Sequence, residues 1–218
     1  MTTTQNSPVS PVYEGQFGTF TIDKDDRIEV MSYRIGLAVA CISLCVISFL
    51  ILTQPLTDKM MMAVTFLFYL FIAGLGVSLQ TIHIYLKPLH NALKVCWLFG
   101  LISTVFFSFQ SSGYLVLYTI DNRFCLFGIG FVFASLTGLF IKEAFCFNRL
   151  EAKFLVPIIP ALILGFMFNV LPLQVEQFLL TSWCLLFTVF ILRKSIQDIP
   201  SDVGDKSVFA YLKRQNKA

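Results

Sequence analysis

Charge is scarce in this sequence. Only 13% of its 218 residues are Asp, Glu, Lys or Arg, against about 25% in an ordinary soluble domain. The apolar share is 56%. That combination excludes a soluble globular domain, and it excludes disorder, which needs the opposite composition. At about 20 apolar residues per crossing, the apolar content suffices for roughly six membrane-spanning helices.

Other absences narrow the chemistry. There are two histidines, and none of the six cysteines forms a CxxC pair. No phosphate-binding GxxxxGK[ST], no HExxH and no GxSxG occurs, which argues against an ATPase, a zincin or a serine hydrolase. No basic stripe with interleaved aromatics points to nucleic acid. The first 30 residues have no basic segment followed by an apolar one, so no secretory signal is expected. No ionisable side chain falls near the middle of an apolar stretch, where pumps and ion-coupled transporters usually carry one. The two halves show no inverted repeat.

What charge there is marks boundaries. Clusters at Asp58/Lys59, Lys87/Lys94, Asp121/Arg123, Lys142–Lys153 and Glu176 divide the interior into six uncharged stretches. These are Ile35–Thr57, Met60–Leu86, Val95–Ile120, Phe124–Ile141, Phe154–Val175 and Gln177–Leu192. Lipid cannot satisfy a backbone, so each should be a helix. The last, at 16 residues, is short, and Gln174, Val175 and snorkelling Arg193 and Lys194 are expected to complete it. The expected fold is an all-α polytopic bundle: a polar tail over 1–34, six spans over 35–192 and a polar tail over 193–218. Within the first tail, Val12–Ile22 reads as an extended or turn segment. Asp23–Tyr33 reads as an interfacial helix running into span one, with a capping box at Asp26/Glu29. Of the 16 basic residues, 14 fall on the side that carries both termini. The positive-inside rule makes that side cytoplasmic.

Small residues at four-residue spacing predict close packing. They are Gly36, Ala40 and Ser48 in span one; Gly100, Thr104, Ser108 and Ser112 in span three; and Gly130, Ala134 and Gly138 in span four. Cys41 and Cys45 share a face as ordinary small packing residues. In span five, Pro157 sits early enough to be harmless, and Pro160 should bend the helix. Pro160, Asn169 and Gln110 are candidates for a transport path for a small neutral solute, weighed against a plain structural kink.

Three polar groups remain. His83 and His90 flank the basic turn after span two, where a histidine serves either as axial ligand of haem or chlorophyll or as part of a polar cluster satisfying loop backbone. No cofactor is required by the sequence, and a metal site would want more ligands. Lys142, Glu143, Arg149, Glu151 and Lys153 form the densest polar segment. It reads as a topology anchor or as a docking surface for another membrane protein complex, shared with the two histidines. Glu143 beside Cys146 also raises a catalytic pair, though no catalytic residue is assigned.

Several of these stretches resemble the signatures of a known family. They are Val12–Ile22, Asp26–Val30, Tyr33–Leu37, His83–His90 and Lys142–Lys153. The family is an uncharacterised integral membrane family of cyanobacteria and photosynthetic eukaryotes, domain of unknown function 2301. The resemblance covers roughly residues 12 to 195. It implies a multi-pass protein of a cyanobacterial-type plasma or thylakoid membrane and brings no activity with it. A tie to photosynthetic membranes rests on that distribution alone. The expectation is a non-enzymatic binding or accessory/assembly component acting on lipid, pigment or a membrane complex. Transporter and cofactor carrier or enzyme are the alternatives.

Overall fold

With no solvent to bond a lipid-exposed backbone, a chain this apolar must close its hydrogen bonds within helices. A computed structural model describes residues 11–84, 86–111, 114–208 and 211. Its helices are α1 Lys24–Thr53, α2 Asp58–Thr81, α3 Lys87–Gln110, α4 Leu115–Asp121, α5 Leu126–Phe147, α6 Leu150–Phe168, α7 Leu173–Ser195 and α8 Ile199–Val203. A 3-10 turn, Arg123–Cys125, leads into α5. Six segments are long and apolar enough to cross a membrane, so the all-α polytopic bundle holds. The non-helical addition is a hairpin: β1 Val12–Gly15 pairs antiparallel with β2 Gly18–Thr21.

Several boundaries differ from expectation, though the helix expected over Asp23–Tyr33 does run into span one, as a single 30-residue helix, about 45 Å long. Its first turn is tied by Asp26, whose carboxylate accepts the Asp23 amide at 2.7 Å. The capping pair is therefore Asp23/Asp26 rather than Asp26/Glu29. Span three ends at Gln110, and the short α4 follows. Span five begins at Leu150, so Pro157 lies inside the helix rather than in its opening turn. The last span has 23 residues, its 16-residue uncharged stretch completed by Gln174, Val175, Arg193 and Lys194 as expected. Lys194 at its end does not snorkel; it is 1% exposed. Two tight turns are made by asparagines in the left-handed region, Asn148 after α5 and Asn169 after α6, a conformation asparagine tolerates better than most residues.

The helices form a ring: α1 on α2, α2 on α3, α3 on α5, α5 on α6, α6 on α7, and α7 back on α1. The small residues matter most at α1–α2. A Cβ on Gly36 would meet the Gly74 carbonyl at 2.6 Å, and one on Gly74 would meet the Gly36 carbonyl at 2.6 Å. Gly100 approaches the Val132 amide as closely, joining α3 to α5. Gly130 does not mark a close approach, since its nearest neighbour is Ile163 at 3.8 Å. Ser112 lies outside the described residues. Cys45 packs across the α1–α7 seam, its thiol 3.8 Å from the Cys184 carbonyl.

Both tails meet at one end. Ile22, Val30 and Val203 form a small apolar cluster with Tyr13, Phe20 and Ile199, joining hairpin, α1 and α8. We call this the polar end and the other the distal end.

Overpacking a tight interface costs about 1–3 kcal/mol. Gly36→Ala is therefore expected to destabilise the bundle by that amount, read as a lower unfolding midpoint in detergent. Gly130→Ala should leave the midpoint unchanged or slightly raised.

Candidate functional site

Two regions hold the chemistry. At the polar end, Glu143 in the last turns of α5 is fully buried. An isolated carboxylate there would be prohibitively costly, so it is surrounded by donors. Lys142 donates to Oε1 at 3.0 Å and Lys194 to Oε2 at 2.6 Å, and the Tyr33 hydroxyl donates to Oε1 at 3.0 Å. Lys194 also reaches Asp202 of α8 at 2.5 Å. Asp202 in turn accepts from Arg34 at 2.6 Å and from Gln197 at 3.1 Å. Arg34 further donates to the Gln197 carbonyl at 2.6 Å, which fixes the turn between α7 and α8. Beside this chain of bonds, Glu151 accepts from Arg193 at 2.7 Å and stands 3.6 Å from Arg149, which also donates to the Gln197 side chain. The Phe147 ring lies under the ammonium groups of Lys194 at 4.4 Å and Lys142 at 5.4 Å, adding cation–π attraction.

Four of the five candidate docking residues, Lys142, Glu143, Arg149 and Glu151, are therefore turned inward and buried. Lys153 is exposed and bonds Asn148. Cys146 is exposed while Glu143 is enclosed, so the two do not share a face. The histidines lie at the same end. His90 donates from Nε2 to the Leu79 carbonyl at 2.6 Å, satisfying one of the orphan carbonyls of the last turn of α2. His83 faces Glu29 at 3.1 Å. Tyr33 bonds Glu143 through its hydroxyl and accepts the Ser78 hydroxyl on its backbone carbonyl at 3.0 Å, and Ser78 precedes the Leu79 whose carbonyl holds His90. Among the described residues, no group of three His, Cys, Asp or Glu side chains is placed to hold a metal ion.

Below the ionic layer the bundle is filled. Phe71, Phe140, Phe187 and Phe190 are fully buried, with Phe140 edge-on to Phe187 at 5.1 Å and to Phe190 at 5.4 Å. The distal half is hollow. A cavity of about 510 Å³ is walled by α1, α2, α4, α5, α6 and α7. Its walls are almost wholly apolar, including Ile47, Phe68, Ile129, Phe133 and Ile163. Exposed Leu56, Ile120 and Leu173 put its mouth at the distal end, where Glu176, Gln177 and Thr119 bring polar side chains to the rim. Deeper in, Trp183 contributes to the wall; it is 3% exposed, and its indole N–H has no hydrogen-bond partner among the described residues.

The candidate path residues are elsewhere. Gln110 and Pro160 are exposed, and neither lines the cavity. Asn169 ends α6 and accepts from Arg123 at 2.6 Å. Arg123 also donates to the Phe166 carbonyl at 3.2 Å and covers the Phe166 ring at 4.8 Å, and that ring belongs to the cavity wall. This clasp joins the 3-10 turn to the end of α6 beside the mouth.

The family described as uncharacterized integral membrane protein (DUF2301) matches residues 77–211, more than half of the chain. The chain belongs to this family. The DUF2301 match begins within α2 and runs past α8, so it includes Glu143, Glu151, Lys194, Asp202 and the α7 wall of the cavity, while Tyr33 and Arg34 lie before it. No curated protein and no solved structure matches.

Sequence reasoning missed the cavity, Trp183, and the partners that Glu143 finds in Tyr33, Lys194 and Asp202. The adjacent Lys142–Glu143 pair at a span end was the available signal, but only the fold reveals its other partners.

Removing one member of a buried charge network leaves the others uncompensated, at about 3–5 kcal/mol. Glu143→Leu should lose about that much stability, and adding Lys142→Leu should recover part of it in a double-mutant cycle by denaturant unfolding. A second outcome concerns the hairpin. The Ser207 hydroxyl at 2.6 Å, with the Gln16 amide at 2.6 Å, holds the Asp205 carboxyl below its ordinary value of 3.8. A depressed acid contributes stability above its ordinary value and loses it as pH falls through the lowered one. The protection factor of the Gln16 amide should thus be retained at neutral pH and fall below pH 3.8, as measured by hydrogen exchange.

Proposed function

We propose that this chain is a non-enzymatic binding protein that holds an apolar molecule drawn from the surrounding bilayer. The single observation behind the reading is the distal cavity, about 510 Å³ with apolar walls from six helices. Small-molecule sites typically occupy ~300–1,000 Å³, are mostly apolar and carry a few polar groups that fix orientation. The filled polar half favours holding over passage: a solute leaving through it would have to displace four buried phenylalanines and the ionic layer above them. Buried rings packed at crystal-like density do not part without a rearrangement of the helices.

In this reading the polar end faces the cytoplasm, supported by the 14 basic residues on that side. The cavity then opens to the opposite leaflet of a plasma or thylakoid membrane. An accessory or assembly role, delivering or sensing the held molecule beside a membrane complex, is compatible with such a site.

Filling the cavity tests the reading. Leu180 lies on its wall, and Leu180→Trp adds bulk where space exists. After mild-detergent purification, mass spectrometry should find about one apolar molecule retained per wild-type chain and at least tenfold less on the variant. Equal retention by both, or none by the wild type, would sink the proposal.

A further inference from the structure

The cavity is not featureless: the Ser48, Thr65 and Thr119 hydroxyls on its wall are spent on carbonyls of their own helices, while Glu176 and Trp183 share one face of α7. Glu176, Leu180 and Trp183 are spaced by four and three residues along α7, so all three project from the same stripe into the same wall. Glu176 stands at the rim and Trp183 seven residues deeper, an axial rise of about 10 Å. Helical side chains lean toward the N-terminus, which brings the indole of Trp183 somewhat nearer the rim than its backbone.

Each feature asks for a different group. An indole N–H is a donor only, and a buried one without a partner carries the full cost of its desolvation. The chain's other tryptophan shows the usual arrangement: Trp97 donates to the Ile72 carbonyl at 2.9 Å. Trp183 thus has a hydrogen bond to give, and an acceptor oxygen brought by a ligand takes it once the ring turns its shielded N–H toward the space it lines. A carboxylate accepts only, and at the mouth of an apolar cavity it rejects anions while taking hydroxyl or ammonium donors. Glu176 also suits the first turn of α7 as a helix-dipole partner, but that role does not require it to line a cavity. Gln177 beside it supplies both a donor and an acceptor.

Resting on the reading of the cavity as a binding site, we infer that its ligand is a neutral single-chain lipid: a hydroxyl-bearing headgroup at Glu176 and Gln177, an ester or amide carbonyl at Trp183, and a hydrocarbon chain against the remaining wall. A fatty-acid anion would meet the Glu176 carboxylate and be disfavoured. A plain alkane would fill the cavity and leave the Trp183 donor unmatched.

The experiment compares three radiolabelled probes of equal chain length on the full-length purified protein: a monoacylglycerol, the fatty-acid anion and the alkane. The monoacylglycerol should bind about tenfold more tightly than either of the others, the equivalent of one well-made buried hydrogen bond. Trp183→Phe keeps the ring that packs against Phe187 at 5.2 Å; it should cost the monoacylglycerol about tenfold and leave the alkane unchanged. Glu176→Gln, at the rim, should bring the fatty-acid anion to within about threefold of the monoacylglycerol and keeps the test alive should Trp183→Phe fold poorly. In a Trp97→Phe background, emission from Trp183 alone should shift on adding monoacylglycerol but not alkane. Three probes binding alike, with neither variant altering their order, would overturn the headgroup assignment while leaving the cavity reading intact. No saturable binding of any probe would overturn both.

Discussion

A carboxylate shut away from water in a membrane protein must find its counter-charges within the chain, and Glu143 organises the polar end around that requirement. Its two oxygens engage α5 through Lys142, α7 through Lys194 and α1 through Tyr33. Lys194, buried with it, needs a second anion, and takes Asp202 from the segment after α7. Asp202 then draws in Arg34. One buried charge thus accounts for why residues that read as tails on composition are built into the fold. Such a network is weak evidence of net stability, because desolvating its members offsets much of their attraction. Its stronger consequence is geometric: α1, α5, α7 and α8 can meet in only the register that pairs every charge.

The bundle is unevenly filled along its axis. Directly beneath the ionic layer, Phe140, Phe187 and Phe190 interlock, and Phe71 closes the space further toward α2. Rigid rings at an end already fixed by charge leave little freedom there. At the distal end the helices are held by fewer polar contacts, the Arg123 clasp to Asn169 and Phe166 among them. The molecule therefore has a stiff base and a hollow top. Apolar ligands reach such a cavity from the bilayer, where their chains already reside, so neither a polar entrance nor a charged translocation path is needed.

How much of this was legible in the sequence follows from what periodicity and charge can encode. Six spans were readable because lipid penalises charge, so charged residues collect at helix ends. The close approaches at Gly36 and Gly100 were readable because small residues have few other uses at helical spacing. Gly130 obeyed the same spacing without the contact, since spacing reports a face and not what lies opposite. Helix ends were read less well. The boundary between tail and spans drawn at Arg34 crosses α1 without a break, because Arg34 pairs with Asp202; Lys194, expected to snorkel, is instead buried at the end of α7 by its pairing with Glu143 and Asp202. The cavity left no trace: its walls are Leu, Ile, Val and Phe, the residues that would equally fill a core. A void is a property of relative helix placement, which no single segment carries.

The inward stripe of α7 draws these features together. Glu176, Leu180, Trp183, Phe187, Phe190 and Lys194 follow one another at alternating steps of four and three, the 3.5-residue period that keeps one face turned toward its neighbours. Read from the distal end, that stripe presents a rim carboxylate, the cavity wall, an unmatched donor, the aromatic filling and a lysine of the ionic layer. Its charged ends are 18 residues apart in the sequence, about 27 Å of helix, close to the ~30 Å of a bilayer's hydrocarbon core. Rotating α7 by one residue would turn Lys194 from Glu143 and Trp183 from the cavity together. The pairing that satisfies the buried charge is therefore the same constraint that keeps Trp183 on the cavity wall, which couples the stiff base to the geometry of the hollow end.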